Sequence, residues 1–544
     1  MKEYLAAGIL PALSRLGVAE LPPLTFEKPR NPDHGDLTTN IALMISKRTR
    51  GNPREIAAKI VDLLSLDSTV VDRTEIAGPG FINFHFTEKF YHEQMRQILR
   101  RGASYGKIDL GNGKKTQVEF VSANPTGPLT VGHGRGAVYG DTVSRLLVWT
   151  NHDVTREYYF NNAGRQMRVL ADSVRLRYLE LLGQKIAFPE DYYQGEYIKE
   201  IAQHVLDREG TPVAPDKLET ICRNAAEQEI FDDIKKTLRR LGIVHDVYFN
   251  ENTLYETGKV QDVIDELRKR DLAYDQEGAV WFRSTKFGGE KDKVIVKSSG
   301  EPTYRLPDIA YHRDKLQRGF ALIVDILGAD HIATYPDVLA GLQALGCDPS
   351  AVKVLIHQFV TITQNGEVVK MSTRKANFIT LDELIDEIGS VDVVRYFFLM
   401  RGIGSHLNFD LGLAKDQSEQ NPVYYLQYAH ARIASIIRHA ESTGVEISDL
   451  FEGNNLAQPE ELSLLKLLTE FPDMVESCAL TYEPHRLAEY LHEVAGRYHK
   501  FYHAHRVLTE DRPVTAARVA LCLATKTVLA NGLSILGIHA PQKM

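Results

Sequence analysis

A chain of 544 residues is long enough for three or four domains, each with its own hydrophobic core. At 43% hydrophobic and 25% charged residues its make-up is that of an ordinary globular protein, and no apolar run reaches the roughly 18 residues of a membrane span. A formal net charge of -8 argues against a protein that coats nucleic acid indiscriminately, which needs a broad cationic surface, but leaves room for RNA recognition through local basic stripes.

Residues 1–106 read as a small α/β unit. Leu5, Ile9, Leu13 and Leu16 fall at helical spacing broken by charges, which is not the pattern of a secretion signal. A turn-rich stretch over 28–36 precedes a helix predicted over Thr38 to Arg48 and another from Pro53 to Leu64, where proline suits the first turn. Gly78-Pro79-Gly80 then turns into an alternating strand, with Ile82, Phe84 and Phe86 on one face and Asn83 and His85 on the other.

From 107 to 412 the pattern is that of a parallel-sheet core. The β-branched run Gln117 to Val121 predicts a strand, and Pro128-Leu-Thr-Val-Gly-His133-Gly-Arg-Gly136 leads into helical spacing at Tyr139, Val143, Leu146 and Leu147. His133 to Gly136 therefore fall at a helix amino terminus, where free N–H groups and the helix dipole favour an anion. Residues from about 151 to 297 are mixed, helical near Met167–Leu182 and Asp216–Leu241, and read as an insertion. Strand-like Ala321–Leu327 and Val352–Ile356 bracket a helical segment, which suits the returning half of the sheet. Beyond 412 the chain is almost wholly helical, with amphipathic helices marked by Leu426–Ile437 and Leu487–Phe501 and a last one stopping near Gly537. There is no internal repeat to support a solenoid.

Two segments carry chemistry. His133, between Gly132 and Gly134, lets an anionic ligand lie against the backbone; its ordinary alternative is a helix-capping histidine. Gly132, Gly134 and Gly136 after a strand also suggest a dinucleotide fold, but their Gly-x-Gly-x-Gly spacing departs from that fingerprint. Downstream, Val369-Lys370-Met371-Ser372-Thr373-Arg374-Lys375 offers three cations and a hydroxyl suited to phosphates, although alone it would read as a solvated loop. Cys222, Cys347, Cys478 and Cys522 form no Cys-x-x-Cys pair, so neither a disulfide framework nor a cysteine zinc site is indicated.

In this order the two segments resemble the paired nucleotide motifs of class I aminoacyl-tRNA synthetases. Over most of its length the chain is similar to the arginyl-tRNA synthetases, through Val118-Glu119-Phe-Val-Ser122-Ala-Asn124-Pro, Tyr158-Tyr-Phe-Asn-Asn-Ala-Gly-Arg-Gln166-Met, Tyr304-Arg-Leu-Pro-Asp308-Ile-Ala-Tyr and Lys370-Met-Ser-Thr-Arg-Lys-Ala-Asn377-Phe. The resemblance implies a multidomain α/β protein. Residues 1–106 would form a small tRNA-contacting domain, 107–412 a Rossmann-type core with the insertion, and 413–544 an all-α anticodon-binding bundle. It implies ATP-dependent ligation of L-arginine to tRNA(Arg) through arginyl-adenylate, with release of AMP and pyrophosphate.

On the resemblance, His133, Lys370, Ser372 and Arg374 would be catalytic, and Thr130, Gly132, Gly134, Met371 and Lys375 would complete the ATP site. Glu119 and Asp308 would hold the guanidinium, Tyr304 would line it, and Ser122 and Asn124 would fix the α-amino or carboxylate end. Tyr304 and Asp308 share a side only if Pro307 lies in a helix's first turn. Val391-Asp392-Val-Val-Arg395 resembles the Asp-Ala-Leu-Arg motif of the bundle, although such a pair is by itself most often a local ion pair. A stripe of His492, His499, His503 and Arg506 near Tyr498 and Tyr502 would meet unstacked bases, so that Arg395, His499, Tyr502, His503 and Arg506 are the expected tRNA contacts. A solvated helix face is an equal reading of each.

The chain departs from the family pattern at Thr130, where a histidine is usual, at Thr373, where a lysine is, and at Asn162 and Ala376. Gly328-Ala-Asp330-His331 is either part of the pocket or a plain strand-end turn. Magnesium is expected to arrive with ATP rather than at a metal site, and the partners are tRNA(Arg), arginine and ATP, with no DNA or membrane. A cytoplasmic monomer is expected. Two rivals remain: a cysteinyl enzyme, whose zinc cysteines are missing, and a noncatalytic tRNA-binding relative, favoured only by Thr130 and Thr373.

Overall fold

The computed structural model describes residues 1–18, 23–29, 31–162, 164–209, 213–369, 379–445 and 455–544. The amino-terminal unit begins with α1 (Lys2–Arg15), which buries Leu5, Ile9 and Leu13, followed by β1 (Leu37–Thr39), α2 (Ile41–Thr49) and α3 (Pro53–Leu63). A hairpin of β2 (Val71–Ala77) and β3 (Phe81–Phe86) completes an antiparallel sheet of order β1-β3-β2. The expected second helix starts later than predicted because Thr38 pairs with Asn83 in the sheet. Ile82, Phe84 and Phe86 are buried as the alternation requires, and Asn83 is buried as well. The chain then leaves through α4 (Glu88–Arg101).

The core alternates strands and helices: β4 (Lys115–Glu119), α5 (Val131–Trp149), β5 (Asp153–Phe160), then α6 (Gly164–Leu181), α7 (Glu196–Glu209) and α8 (Pro215–Arg240), and β6 (Val247–Asn250). A second excursion holds α9 (Asn252–Glu256), α10 (Lys259–Lys269) and an antiparallel sheet of β7 (Ala273–Gln276), β8 (Ala279–Phe282) and β9 (Lys293–Val296). The chain returns through α11 (Arg305–Gln317), β10 (Leu322–Gly328), α12 (Tyr335–Ala344) and β11 (Val352–His357). Five strands form one parallel sheet of order β11-β10-β4-β5-β6, in which the chain adds strands to one side of β4 and then, from β10, to the other. This corrects the reading of 151–297 as a plain insertion, since β5 and β6 belong to the central sheet and the added material is two separate excursions.

A small sheet of β12 (Val360–Gln364), β13 (Glu367–Val368) and β14 (Leu407–Asp410) follows, with α13 (Leu381–Ile388), α14 (Val391–Leu399) and α15 (Leu411–Lys415) around it. The carboxyl-terminal bundle comprises α16 (Pro422–Ser442), α17 (Pro459–Thr469), α18 (Phe471–Thr481), α19 (Pro484–Ala504) and α20 (Arg512–Leu536), and α4 packs against α17 and α20. By length and composition α20 could cross a membrane, but most of its apolar stretch is buried in the bundle.

Arg395, expected to contact tRNA, is instead wholly buried at the junction of core and bundle. Its guanidinium donates to the carbonyls of Leu241 at 2.7 Å and Leu536 at 3.0 Å, where α8 and α20 end, and to Asp141 of α5 at 2.7 Å. A cation suits two converging helix carboxyl termini. The following Gly537, in the left-handed region at φ 70°, leaves the room: a Cβ there would stand 2.2 Å from the guanidinium. Asp392 does not pair with Arg395 but accepts from Gln427 and His539.

Candidate active site

A cavity of about 690 Å³ opens at the carboxyl ends of the five parallel strands, beside the point where strand order reverses. Ligands of open α/β sheets bind at such a place. Among its described lining residues are five carboxylates, Glu119, Glu251, Asp308, Asp325 and Asp330, and no lysine or arginine.

One wall is the start of α5. Thr130 is the cap residue, and its backbone N–H donates to Nδ1 of His133 at 3.0 Å. The capping reading of His133 is therefore correct in geometry, and His133 lines the cavity as well. Because Nδ1 accepts, the neutral ring carries its proton on Nε2. Burial pulls the His133 pKa down, opposed by nearby Asp330, so the ring is neutral at physiological pH. A Cβ on Gly134 would lie 2.7 Å from Leu381 and 3.0 Å from Phe398, so that glycine lets α5 pack against α13 and α14.

Lys370, Met371, Ser372, Arg374 and Lys375 lie outside the described residues, but the chain on either side of them is fixed. The Val369 N–H donates to Ile362, while the Val131 N–H donates to Ile379 at 3.2 Å and that of Leu381 to Leu129 at 2.7 Å. The outgoing end of the basic segment is thus tied to the first turn of the His133 helix.

The five residues expected around arginine all line the cavity. Val121 and Ser122 turn back at the end of β4 with φ of 71° and 43°. That conformation is costly for a β-branched residue. It lets the Ser122 hydroxyl donate to Glu119 at 2.9 Å and accept the Tyr159 N–H at 3.1 Å. Ser122 therefore braces Glu119, and both of its hydrogen bonds are internal. Asn124 donates to Gln166 at 2.8 Å. Tyr304 caps α11 with 79% of its surface exposed, Pro307 sits in the first turn, and the Asp308 N–H donates to the Tyr304 carbonyl. Among the described residues no side chain donates to the Asp308 carboxylate. Its pKa is pushed up to about 6 by burial and by Glu119 and Glu251, with His312 and His331 opposing.

Sequence reasoning missed Glu251, Lys315, His312 and Asp325. Glu251, just past β6, accepts from Tyr159 at 2.7 Å and Asn161 at 3.0 Å, and burial raises its pKa. Lys315 is wholly buried between Glu119 at 2.5 Å and Asp325 at 2.7 Å. His312 meets Asp325 at 2.8 Å; burial and Lys315 oppose its charge, but Asp325 prevails and raises its pKa. Glu251 had one readable signal, its place at the end of a sheet strand, had β6 been recognised. Asp330 and His331, left open by the sequence, both line the cavity, whereas Asn162 is bonded to Glu227 and Asn252 and does not.

In the bundle, His499 is half-buried, with ring centroids 4.8 Å from Tyr425 and 6.0 Å from Tyr428. Tyr502 stacks 6.0 Å from Tyr498 and accepts from Arg432, and His503 is exposed. Arg506 departs from the expected stripe because α19 ends at Ala504; it lies in the loop beyond, exposed.

Three segments of the chain match known families: residues 3–86 the arginyl tRNA synthetase N terminal domain, 94–393 the class I (R) tRNA synthetase catalytic domain, and 426–544 the DALR anticodon binding domain. With a parallel sheet, a cavity at its strand ends and a histidine-bearing helix start, the core is that of a class I aminoacyl-tRNA synthetase. The chain is 51% identical over 522 residues to the arginine–tRNA ligase of Desulfotalea psychrophila, covering 96% of this chain and 94% of that one. It is 50% identical to that of Prosthecochloris aestuarii over the full length of both. Its fold matches Thermus thermophilus arginyl-tRNA synthetase with a TM-score of 0.80 at 21% identity, over all of both chains. The chain belongs to the arginine–tRNA ligase family and is an aminoacyl-tRNA synthetase.

Proposed function

We propose that the cavity is where L-arginine and ATP react to arginyl-adenylate with release of pyrophosphate, and from which the arginyl group passes to tRNA(Arg) with release of AMP. The observation that carries the arginine half is the Asp308 carboxylate, half-buried and, among the described residues, accepting from no side chain, in a cavity whose described lining has five carboxylates and no lysine or arginine. A guanidinium satisfies such a group with charge and paired N–H donors. Glu119 faces the same ligand while braced by Ser122, Glu251 adds a second acceptor wall, Tyr304 covers the rim, and Asn124 meets the α-amino or carboxylate end.

Attack of a carboxylate on the α-phosphate requires orientation and relief of growing negative charge. His133 contributes a neutral Nε2–H donor at a helix amino terminus, and Thr130 and exposed Gly132 leave the backbone open beside it. Lys370, Ser372, Arg374 and Lys375, with Met371, serve the β- and γ-phosphates, and Mg²⁺ arrives with ATP. The bundle reads tRNA through His499, Tyr502, His503 and Arg506 by stacking and polar contacts. The enzyme works as a cytoplasmic monomer, without DNA or membrane.

The test is arginine-dependent exchange of pyrophosphate into ATP, with and without tRNA(Arg), using the other amino acids as controls. Exchange with arginine alone among them is expected, and His133→Ala and Lys370→Ala should each suppress it while tRNA binding persists. Bound tRNA with no exchange under any condition would sink the reading in favour of a noncatalytic tRNA-binding protein.

A further inference from the structure

Sheet register sets Asp325, Glu119 and Glu157 side by side on three adjacent strands, so three carboxylates share one face. Like charges so placed repel, the more so away from water. From above that face α11 supplies two cations. Arg318, 28% exposed, forms a two-point contact with Glu157 at 2.6 and 2.8 Å. Lys315, with no exposed surface, bridges Glu119 and Asp325, its ammonium 4.3 Å from the centre of the Tyr311 ring. His312 ties the same network to the first turn of α11, between Asp325 and the Asp308 carbonyl, each at 2.8 Å.

Glu119 is therefore gripped at both oxygens, by Ser122 and by Lys315. An ionised carboxylate has about four acceptor positions, so this grip aims the group and leaves capacity for a ligand in the cavity. Burial opposes the charge on Lys315, but Asp325 and Glu119 override it and raise its pKa. A cation serving only to hold the core together is often replaceable by apolar packing, whereas one that sets the charge of a binding site is not.

We infer that Lys315 is a positioning and specificity-determining residue: its ammonium fixes Glu119 and sets the charge of the cavity floor, so that the site takes one further planar cation and refuses neutral isosteres. This rests on the reading of the cavity as the arginine site. Without Lys315, Glu119 loses its cation and Asp325 keeps only His312, so one of the two adjacent carboxylates takes up a proton. A protonated carboxyl donates a hydrogen bond, and the floor then suits a neutral urea better and a guanidinium worse.

The test compares the full-length enzyme with Lys315→Gln, which keeps a donor without charge, and Lys315→Met, which keeps neither. Arginine and citrulline binding are measured by calorimetry with tRNA present, and arginine-dependent pyrophosphate exchange is followed across pH 5.5–9. Both variants should bind arginine at least about tenfold more weakly, the scale of one charge-assisted hydrogen bond. Their preference for arginine over citrulline should fall, and the acidic limb of kcat/KM for arginine should move to higher pH, with KM for ATP within about twofold. If Lys315→Met fails to fold, Lys315→Met with Asp325→Asn restores the charge balance and is judged by the same ratio. An unchanged arginine-to-citrulline ratio and pH limb, with only a lower melting temperature, overturns the assignment. Arginine bound by the unsubstituted enzyme without any exchange overturns the functional reading alone, while no arginine binding overturns both.

Discussion

At the cavity floor and at the junction of core and bundle, cations are sealed from water; where the amino-terminal unit meets the bundle, they are not. Lys315 and Arg395 have no exposed surface, and each is held by at least two acceptors. Around a 630 Å³ cavity between the amino-terminal unit and α17–α18, Lys2–Asp473, Lys28–Glu470 and Lys466–Asp36 pair at 3.2, 2.8 and 2.7 Å, with every lysine at least 40% exposed. The buried pairs define geometry and are costly to break, while the wet ones orient a domain at little energetic consequence. A catalytic centre needs the first kind, and a unit that must adjust to a large RNA tolerates the second.

Arg395→Met tests the buried side most severely. It leaves two helix-end carbonyls without their donor and takes from buried Asp141 one of its arginines, with Arg145 remaining at 2.7 Å, and should lower stability by about 3–5 kcal/mol, seen as a large drop in melting temperature. A melting curve close to the parent's would mean the junction is held by packing alone. Asp308→Asn should next reduce kcat/KM for arginine by about a hundredfold, on the order of 3 kcal/mol, with KM for ATP little changed.

The Asp308 pKa near 6 gives a pH signature. Arginine affinity should be level above about pH 7 and weaken about tenfold per unit below 6, as protonation removes the charge that meets the guanidinium. A carboxyl whose pKa is raised by folding binds its proton more readily in the folded state. Stability from this group is thus present at low pH and lost as pH rises towards 6. Bound arginine offsets that loss, so it should raise the melting temperature more at pH 7.5 than at pH 5. Smallest of all, Lys466→Ala should cost less than about 1 kcal/mol, and less still in high salt. A larger, salt-independent loss would erase the distinction between the two kinds of pair.

What was legible in the sequence follows the same division. Periodicity located α1, α3, α5 and most of the bundle because each buries one stripe. β2 gave no alternation to read, since only Val71 is fully buried along it. β5 and β6 were hidden in a supposed insertion because α6, α7 and α8 intervene before the parallel partner returns. The cavity residues recognised in advance sit in motifs. Lys315 was invisible because one lysine inside a helix normally reads as a solvated face, and only register across three strands explains its burial. Arg395 misled for the converse reason: an arginine three residues after an aspartate looks like a surface pair, and its true partners lie on three other helices.

The linker helix α4 bears on how the protein is made. Its buried face holds Tyr91, Met95 and Ile98, and it packs on α17 and α20. Just beyond it, the Tyr105 hydroxyl donates to Leu468, 363 residues away, and Asn531 donates to the Tyr105 carbonyl across 426 residues. Ribosomes add roughly 5–20 residues per second, so this segment waits tens of seconds for its partners after it emerges. During that interval its apolar face is open to chaperones and to other nascent chains. A helix more than 400 residues downstream is thus the one that completes the burial of this segment.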